Sequence, residues 1–259
     1  MTVYRRPDPI PMRRAARPDA RQEPLAAHPA RALHAVRAEP DDLHHLVARQ
    51  IFAAIVAGDF PEGSILPNEH RLSEELGVSR TALREAVKGL ASKGLLETRR
   101  RRGTQVLDRS RWNMLDADLV SWTRKIGPAE PVSERLWQAV TATSPALAAL
   151  AATRRSAAAI RAAAVVLDDR GVRVGRGEAL AAFLSEIARA ARNPFLLSLV
   201  SSCLGNLLAE DPPFLERMAA VIEPGAATAL AGAIATGDAR AAEDRLRALL
   251  EPARQTERA

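Results

Sequence analysis

Residues 72–90 read LSEELGVSRTALREAVKGL, and this stretch decides the fold of the first part of the chain. Leu72 and Leu76 share one face of a helix predicted over about residues 69–76, and Gly77 breaks that helix. Ser79 is a good N-cap for a further helix that continues to about residue 93. The apolar positions that this helix would bury are Leu83, Val87 and Leu90. Two short helices joined by a glycine-containing turn are typical of a helix-turn-helix.

The flanking sequence completes a winged form of this motif. Upstream, apolar residues from Leu43 to Val56 follow helical spacing, and Gly58 ends that helix. Downstream, two short strands are predicted around a basic tip of four arginines at 99–102, followed by Gly103 and Thr104. The first domain is therefore predicted to be three helices plus a β-hairpin wing.

The remainder of the chain reads as helices, so the fold class is mainly α. Five or six antiparallel helices, separated by brief breaks, are predicted over residues 130–252 as an all-α bundle. The predicted domains are a disordered basic Pro/Ala/Arg-rich tail (1–40), the winged helix-turn-helix (41–108), a linker with a short helix (109–129), the bundle and a disordered tail (253–259).

Charge points to a polyanion as the partner of the first domain. Residues 1–110 hold 19 Lys and Arg against 14 Asp and Glu, an excess of five out of the +6 of the whole chain. A basic first domain beside a nearly neutral second one fits DNA, although a solvated basic tail would give the same balance. The single cysteine, Cys203, reads as a small core residue. The chain has no secretory signal pattern and no apolar run of about 20 residues, so we expect a cytoplasmic protein without a membrane partner.

The first turns of the third helix hold the side chains that would read DNA. Arg80, Thr81 and Arg84 lie off its apolar face, and arginine offers two donors that match the acceptors of guanine. Ser79 and Thr81 can donate to phosphates. The arginines Arg99, Arg100, Arg101 and Arg102 would hold phosphates or enter the minor groove. The alternative is that these arginines are ordinary solvated charges.

These residues also carry a family resemblance. Leu66–Glu69, Leu72–Ala86, Gly94–Leu96 and Gly103-Thr104 resemble the GntR family of bacterial regulators. Arg111–Asp116 and the helical second domain look like its FadR-like subfamily, closest to repressors of sugar-acid (galactonate-type) catabolism. The resemblance implies a homodimer on a short palindromic operator of double-stranded DNA, with Arg80 and Arg84 reading bases.

The chain departs from the family pattern at two DNA-facing positions. Many members have an arginine after Pro-x-Glu, where this chain has His70, which leaves the contact of His70 with DNA open and predicts a different operator preference. The wing tip has Arg100-Arg101 in place of the usual Pro-Gly pair, which predicts stronger non-specific binding and greater salt sensitivity.

The second domain departs more. The family positions that bind a divalent metal correspond here to Leu180, Leu184, Ala227 and Leu249, and none of these side chains can bind a metal, so neither metal nor cofactor is predicted. Six polar residues could still orient an unknown small-molecule effector: Arg135, Thr141, Ser144, Ser198, Ser202 and Asn206. Each could equally have a structural or surface role.

Two other classes of function remain to be weighed. An enzyme is disfavoured, because all five histidines precede residue 71 and the bundle has no lysine for a Schiff base. The second class is a regulator without a ligand, whose bundle only dimerises or contacts another protein. The absence of the metal-binding residues makes this alternative credible.

Overall fold

The computed structural model describes residues 43–126, 132–169 and 175–256, with side chains described up to residue 251. The predicted basic tail over 1–40 and the last three residues, 257–259, lie outside the described residues. Residues 253–256, placed by the sequence in a second tail, belong to the final helix.

Three helices and a hairpin form the first domain, as predicted. The helices are α1 (Leu43–Ala57), α2 (Glu69–Leu76) and α3 (Arg80–Ser92), and the strands are β1 (Leu96–Arg99) and β2 (Gly103–Val106). The strands pair antiparallel, with Leu96 opposite Val106 and Arg99 opposite Gly103. This order of elements confirms the winged helix-turn-helix.

Local capping explains where α2 ends and α3 begins. The Asn68 side chain accepts a hydrogen bond from the N–H of Arg71 at 2.9 Å and begins α2. Gly77 ends α2 with a φ of 67°, a left-handed conformation that glycine adopts without steric cost. Two residues later the Ser79 hydroxyl accepts from the N–H of Ala82 at 3.2 Å and begins α3.

The core of the first domain includes side chains from the predicted linker. Phe52 of α1 packs against Trp112 and Trp122, with ring centroids 6.0 and 5.6 Å apart. The Trp122 side chain belongs to α4 (Ala117–Ile126), the short helix predicted in the linker. The linker is therefore part of the packed N-terminal domain as well as a connection.

A second set of contacts attaches the linker to the end of α3. The Lys93 ammonium lies 2.7 Å from Asp116 and 2.8 Å from Asp118. The N–H of Asn113 donates to the Lys93 carbonyl at 2.8 Å. Burial alone would lower the pKa of Lys93, but the hydrogen bonds and charges of the two aspartates outweigh it and raise the pKa.

Within the described residues, seven helices follow, so the prediction of five or six was wrong. They are α5 (Val132–Arg154), α6 (Ala158–Asp168), α7 (Arg176–Ala190), α8 (Pro194–Glu210), α9 (Pro212–Ala220), α10 (Ala226–Thr236) and α11 (Ala239–Thr256). The helix breaks agree with the sequence, but the breaks on either side of α9 leave a short separate helix. Pro212 occupies the first turn of α9 directly after α8 ends, where its missing N–H leaves no intrahelical hydrogen bond unmade.

The bundle core is made mainly of alanine and leucine side chains. Trp137 and Phe183 are its largest fully buried side chains, and Trp137 meets Phe214 edge to face at 6.3 Å. Small alanines let the helices approach closely around these few aromatic rings. The low aromatic content of the chain, 3%, is thus compatible with a well-packed core.

The bundle contacts the linker through a few polar atoms. The Asn206 side-chain amide of α8 donates to the Leu115 carbonyl at 3.1 Å. Arg124 of α4 lies 3.9 Å from Asp211, which also accepts from the Ser133 hydroxyl at 2.8 Å. Val120 of α4 is buried with the bundle core. α4 therefore lies between the two cores and contacts both.

Candidate nucleic-acid interface

The α3 helix divides into a buried face and a charged exposed face. Leu83, Ala86 and Leu90 are fully buried, whereas Val87 is only half-buried. The predicted DNA-facing residues are all exposed on the opposite side: Ser79, Arg80, Thr81 and Arg84. Their positions bring a hydroxyl pair and two guanidinium groups together at the N-terminal end of one helix, where the helix dipole favours an anion.

Arg84 is oriented by a residue that the sequence analysis missed. Its Nε lies 2.8 Å from a carboxylate oxygen of Glu69, the first residue of α2. The two side chains remain 62% and 50% exposed, so the ion pair can rearrange to meet a ligand. No sequence signal identifies this pair, because the two residues are 15 positions apart and meet only when α2 packs on α3.

Glu85, the neighbour of Arg84 in sequence, has a different partner. The Lys88 ammonium donates to the Glu85 carboxylate at 2.7 Å. The hydrogen bond and the charge of Lys88 lower the pKa of Glu85 below its ordinary value. Glu85 therefore pairs with Lys88, which lies one turn beyond Arg84, whereas Arg84 pairs with Glu69.

His70 lies exposed on α2, with its Nδ1 3.1 Å from a Glu74 carboxylate oxygen. This pairing is local, between residues one turn apart on the same helix. Arg71, its neighbour, pairs in the same way with Glu75 at 2.7 Å. The contact of His70 with DNA stays a prediction.

The wing tip carries its arginines in a tight reversal. Arg101 has a φ of 66° and Gly103 one of 84°, and the N–H of Arg102 closes the turn on the Arg99 carbonyl at 3.0 Å. Arg99 is held by Glu97 at 2.9 Å, and this hydrogen bond lowers the pKa of Glu97. The other three tip arginines, at positions 100–102, are exposed. Thr104, half-buried, contacts the Thr98 hydroxyl across the strands at 3.0 Å.

Residues before α2 support the wing from the side. Gly63 and Leu66 donate their N–H groups to Val106 and Thr104 at 2.9 and 2.8 Å. Gln105 donates its side-chain amide to the Gly63 carbonyl at 2.9 Å. These bonds tie the hairpin to the segment that leads into α2, so the wing and the helices form one rigid surface.

Two helices joined through a left-handed glycine and followed by a hairpin define a winged helix-turn-helix, a class of DNA-binding domain. Residues 44–106 match the model of the bacterial regulatory proteins of the gntR family. The match lies within the N-terminal domain and agrees with the family resemblance found in the sequence.

Curated relatives agree over the same part of the chain. The HTH-type regulator YieP of Escherichia coli is 46% identical over 81 residues, which are 31% of this chain and 35% of that protein. The galactonate operon transcriptional repressor of E. coli is 44% identical over 68 residues, 26% of this chain and 30% of that protein. A fatty acid metabolism regulator of Vibrio vulnificus is 38% identical over 100 residues, 38% of this chain and 35% of that protein.

These matches span about a third of each relative's length. Their names are those of transcription regulators, and none of them indicates a catalytic activity. Among solved structures, a GntR protein of Streptococcus agalactiae is 22% identical, with a TM-score of 0.44 over 82% of this chain and 99% of that one.

The four positions that the family resemblance assigns to metal ligands lie inside the bundle core. Leu180 and Leu184 of α7, Ala227 of α10 and Leu249 of α11 are buried. Aliphatic side chains have no lone pairs to offer a metal, so the residues present do not fit the metal site of the family. No group of three His, Cys, Asp or Glu side chains suited to a metal occurs among the described residues.

The predicted effector residues divide between the interior and the surface. Thr141, Ser144 and Asn206 are buried, Ser202 is half-buried, and Arg135 and Ser198 are exposed. Asn206 uses its amide to hold Leu115 of the linker. The Ser144 hydroxyl is buried without a hydrogen-bond partner, and so is the Trp137 indole N–H. Trp137, Thr141 and Ser144 share one face of α5, since they are spaced by one and two helical turns.

Within the described ranges, none of the helices combines the length and the apolar character required to cross a membrane.

Proposed function

We propose that the protein is a sequence-specific transcriptional regulator, most simply a repressor, that binds a palindromic operator as a homodimer in the cytoplasm and responds to a small-molecule effector. The observation that carries the proposal is the exposed face of α3, where Arg80, Thr81 and Arg84 stand on a family DNA-binding domain beside an arginine-rich wing.

Each DNA-facing residue has a role that follows from its chemistry. Arg80 and Arg84 would donate to the O6 and N7 atoms of guanine in the major groove. Ser79 and Thr81 would donate to phosphates at the N-terminus of α3. Arg99–Arg102, with Gly103 and Thr104, would follow the backbone or enter the minor groove, and His70 would contact DNA from α2.

A homodimer would place two α3 helices in successive major grooves. Dimeric readers of this kind bind half-sites roughly 34–36 Å apart, one turn of DNA, so the operator is a pseudo-palindrome. The effector would bind two arrangements of the dimer unequally and shift their populations.

The effector site would lie along the inner face of α5. Buried polar groups are normally hydrogen-bonded, and the unpaired Trp137 N–H and Ser144 hydroxyl offer donors to a ligand oxygen there. Thr141 lies between them on the same face. A sugar acid or another carboxylate suits such donors, and one relative is named as the repressor of a galactonate operon.

One observation favours a second candidate, a regulator without a ligand. The family metal positions are occupied by packed aliphatic side chains, and Asn206 is engaged with the linker. A thermal-shift screen of sugar acids, carboxylates and acyl thioesters separates the two candidates. An effector at a hundred times its Kd stabilises the fold by about 2.7 kcal/mol, whereas no shift with any compound supports the ligand-free regulator.

The DNA-binding proposal is tested by sequencing genomic fragments selected by the purified protein at physiological salt. Enrichment of a palindrome is expected. Arg84→Ala should then cost about 1–3 kcal/mol on that operator and relax base choice at one position of each half-site. Arg240→Ala, an exposed arginine on α11, is the matched control and should change neither.

Two results would count against the proposal. Salt-sensitive binding without any enriched sequence would reduce the protein to a general DNA binder. Unchanged affinity and base preference in Arg84→Ala would mean that α3 does not lie in the major groove.

A further inference from the structure

One helix of the bundle presents an uncharged surface to solvent. From Pro194 to Ala209, α8 has no Asp, Glu, Lys, Arg or His. Phe195 near its start is 84% exposed, more than any other large hydrophobic side chain among the described residues. A helix that borders water normally carries charged side chains on that side, so an uncharged face with an exposed phenylalanine is unusual for a monomer surface.

The inner and outer sides of α8 differ in the size of their residues. Its inner side is aliphatic and fully buried, with Val200, Cys203, Leu204 and Leu207. Its outer residues are small apart from the first: Phe195, Ser198, Ser201, Ser202, Gly205 and Ala209. A side chain added at Gly205 would meet no atom within 4 Å. Because glycine has no side chain, a second surface could approach the helix backbone closely at this position.

The ends of this face carry opposite charges. Exposed Arg192 precedes the helix, and the half-buried Glu210 ends it. A surface with a positive start and a negative end is complementary to itself when two copies run antiparallel, and the two helix dipoles then also oppose each other.

We propose that the outer face of α8 packs antiparallel against α8 of a second copy of this chain. A two-fold axis near Ser201 and Ser202 would place Arg192 near Glu210 of the second copy and Ser198 beside its Gly205. Phe195 would then cover Leu208 and Ala209 of the second copy. The proposal rests on the homodimer of the proposed function and names the surface that forms it.

The full chain and two variants are compared by sedimentation over a wide concentration range. Phe195→Glu should raise the dimer dissociation constant by at least roughly tenfold, because it places a charge in an apolar contact. Val165→Glu on α6 is the matched control, since Val165 is 62% exposed and should leave the dissociation constant unchanged. Both changes lie at exposed positions, and circular dichroism confirms the fold.

Cysteine cross-linking tests the register. Ser201→Cys should link two copies through a short thiol reagent, whereas Ser156→Cys at the exposed turn before α6 should not. The natural Cys203 gives little background, because burial raises the pKa of its thiol to about 11.

The outcomes separate this proposal from the one on which it rests. A wild-type dimer that is weakened by Phe195→Glu and linked at position 201 supports the α8 interface. A wild-type dimer that neither change affects overturns the α8 interface and leaves the homodimer standing. A wild-type chain that stays monomeric at every concentration overturns both.

Discussion

The N-terminal domain and the bundle hold their candidate functional residues in opposite places. In the first domain the residues lie outside, at the start of a capped helix and at the tip of a hairpin, while the core behind them is apolar. In the bundle the most suggestive polar groups, Ser144 and Trp137, lie inside. Exposed charges at a helix start or a hairpin tip can be recognised in a sequence, whereas a buried hydroxyl among alanines cannot.

The two cores also differ in composition. Phe52, Trp112 and Trp122 form an aromatic centre in the small first domain. Alanine and leucine dominate the larger bundle, where one tryptophan is buried. A small domain gains more stability per residue from large rings, because each ring removes much apolar surface from water. We therefore expect a destabilising substitution in one core to leave the stability of the other core unchanged.

The largest loss of stability is expected when a substitution opens a cavity in one of the two cores. Leu147→Ala in the bundle should cost about 2–5 kcal/mol of unfolding free energy, because Leu147 is fully buried. Leu83→Ala should do the same in the first domain. Urea denaturation, followed by circular dichroism and by tryptophan fluorescence, should show each variant shifting one transition. A single transition that moves equally in both variants would mean that the domains unfold as one unit.

A smaller effect is expected where α3 meets the linker. Gly94 has a φ of 82°, and a Cβ there would collide with the carbonyl oxygen of Arg111. Gly58 has a similar φ of 87° with nothing within 4 Å, so it is a matched control. Gly58→Ala should cost about 1–2 kcal/mol through its left-handed backbone alone. Gly94→Ala should lower the free energy of unfolding by more than Gly58→Ala in the same denaturation experiments. Equal losses would mean that the linker backbone moves away from the new Cβ without an energetic cost.

The smallest effect, on DNA affinity and its salt dependence, is expected from single substitutions at the wing. Arg100→Ala or Arg102→Ala should weaken binding to every DNA sequence and lower the slope of log K against log salt by about 0.9 per lost phosphate contact. Arg99→Ala should change the slope less, because Glu97 already neutralises Arg99. Binding titrations at several salt concentrations measure the slopes. Identical slopes for all four proteins would show that the wing points away from DNA.

Local rules explain what the sequence could predict. The Ser79 cap, the Gly77 turn and the basic hairpin depend on neighbouring residues, and all are present in the structure. The Arg84–Glu69 pair and the Lys93–Asp116 pair join residues far apart in sequence, which periodicity does not reveal. The extra bundle helix was missed because α9 is short and follows α8 directly through Asp211. Likewise, the sequence did not indicate that the linker residues Trp112 and Trp122 pack in the core of the first domain.

Two neighbouring linker residues are held from opposite sides, Leu115 by Asn206 of the bundle and Asp116 by Lys93 at the end of α3. The 13 residues of α3 form a rod about 20 Å long that is held at the end opposite Arg80. Pivoting this rod by about five degrees at Lys93 would swing Arg80 by roughly 1.7 Å, more than the tolerance of a hydrogen bond. In the proposed function, this junction would therefore convert a small displacement of α8 into a larger displacement of Arg80.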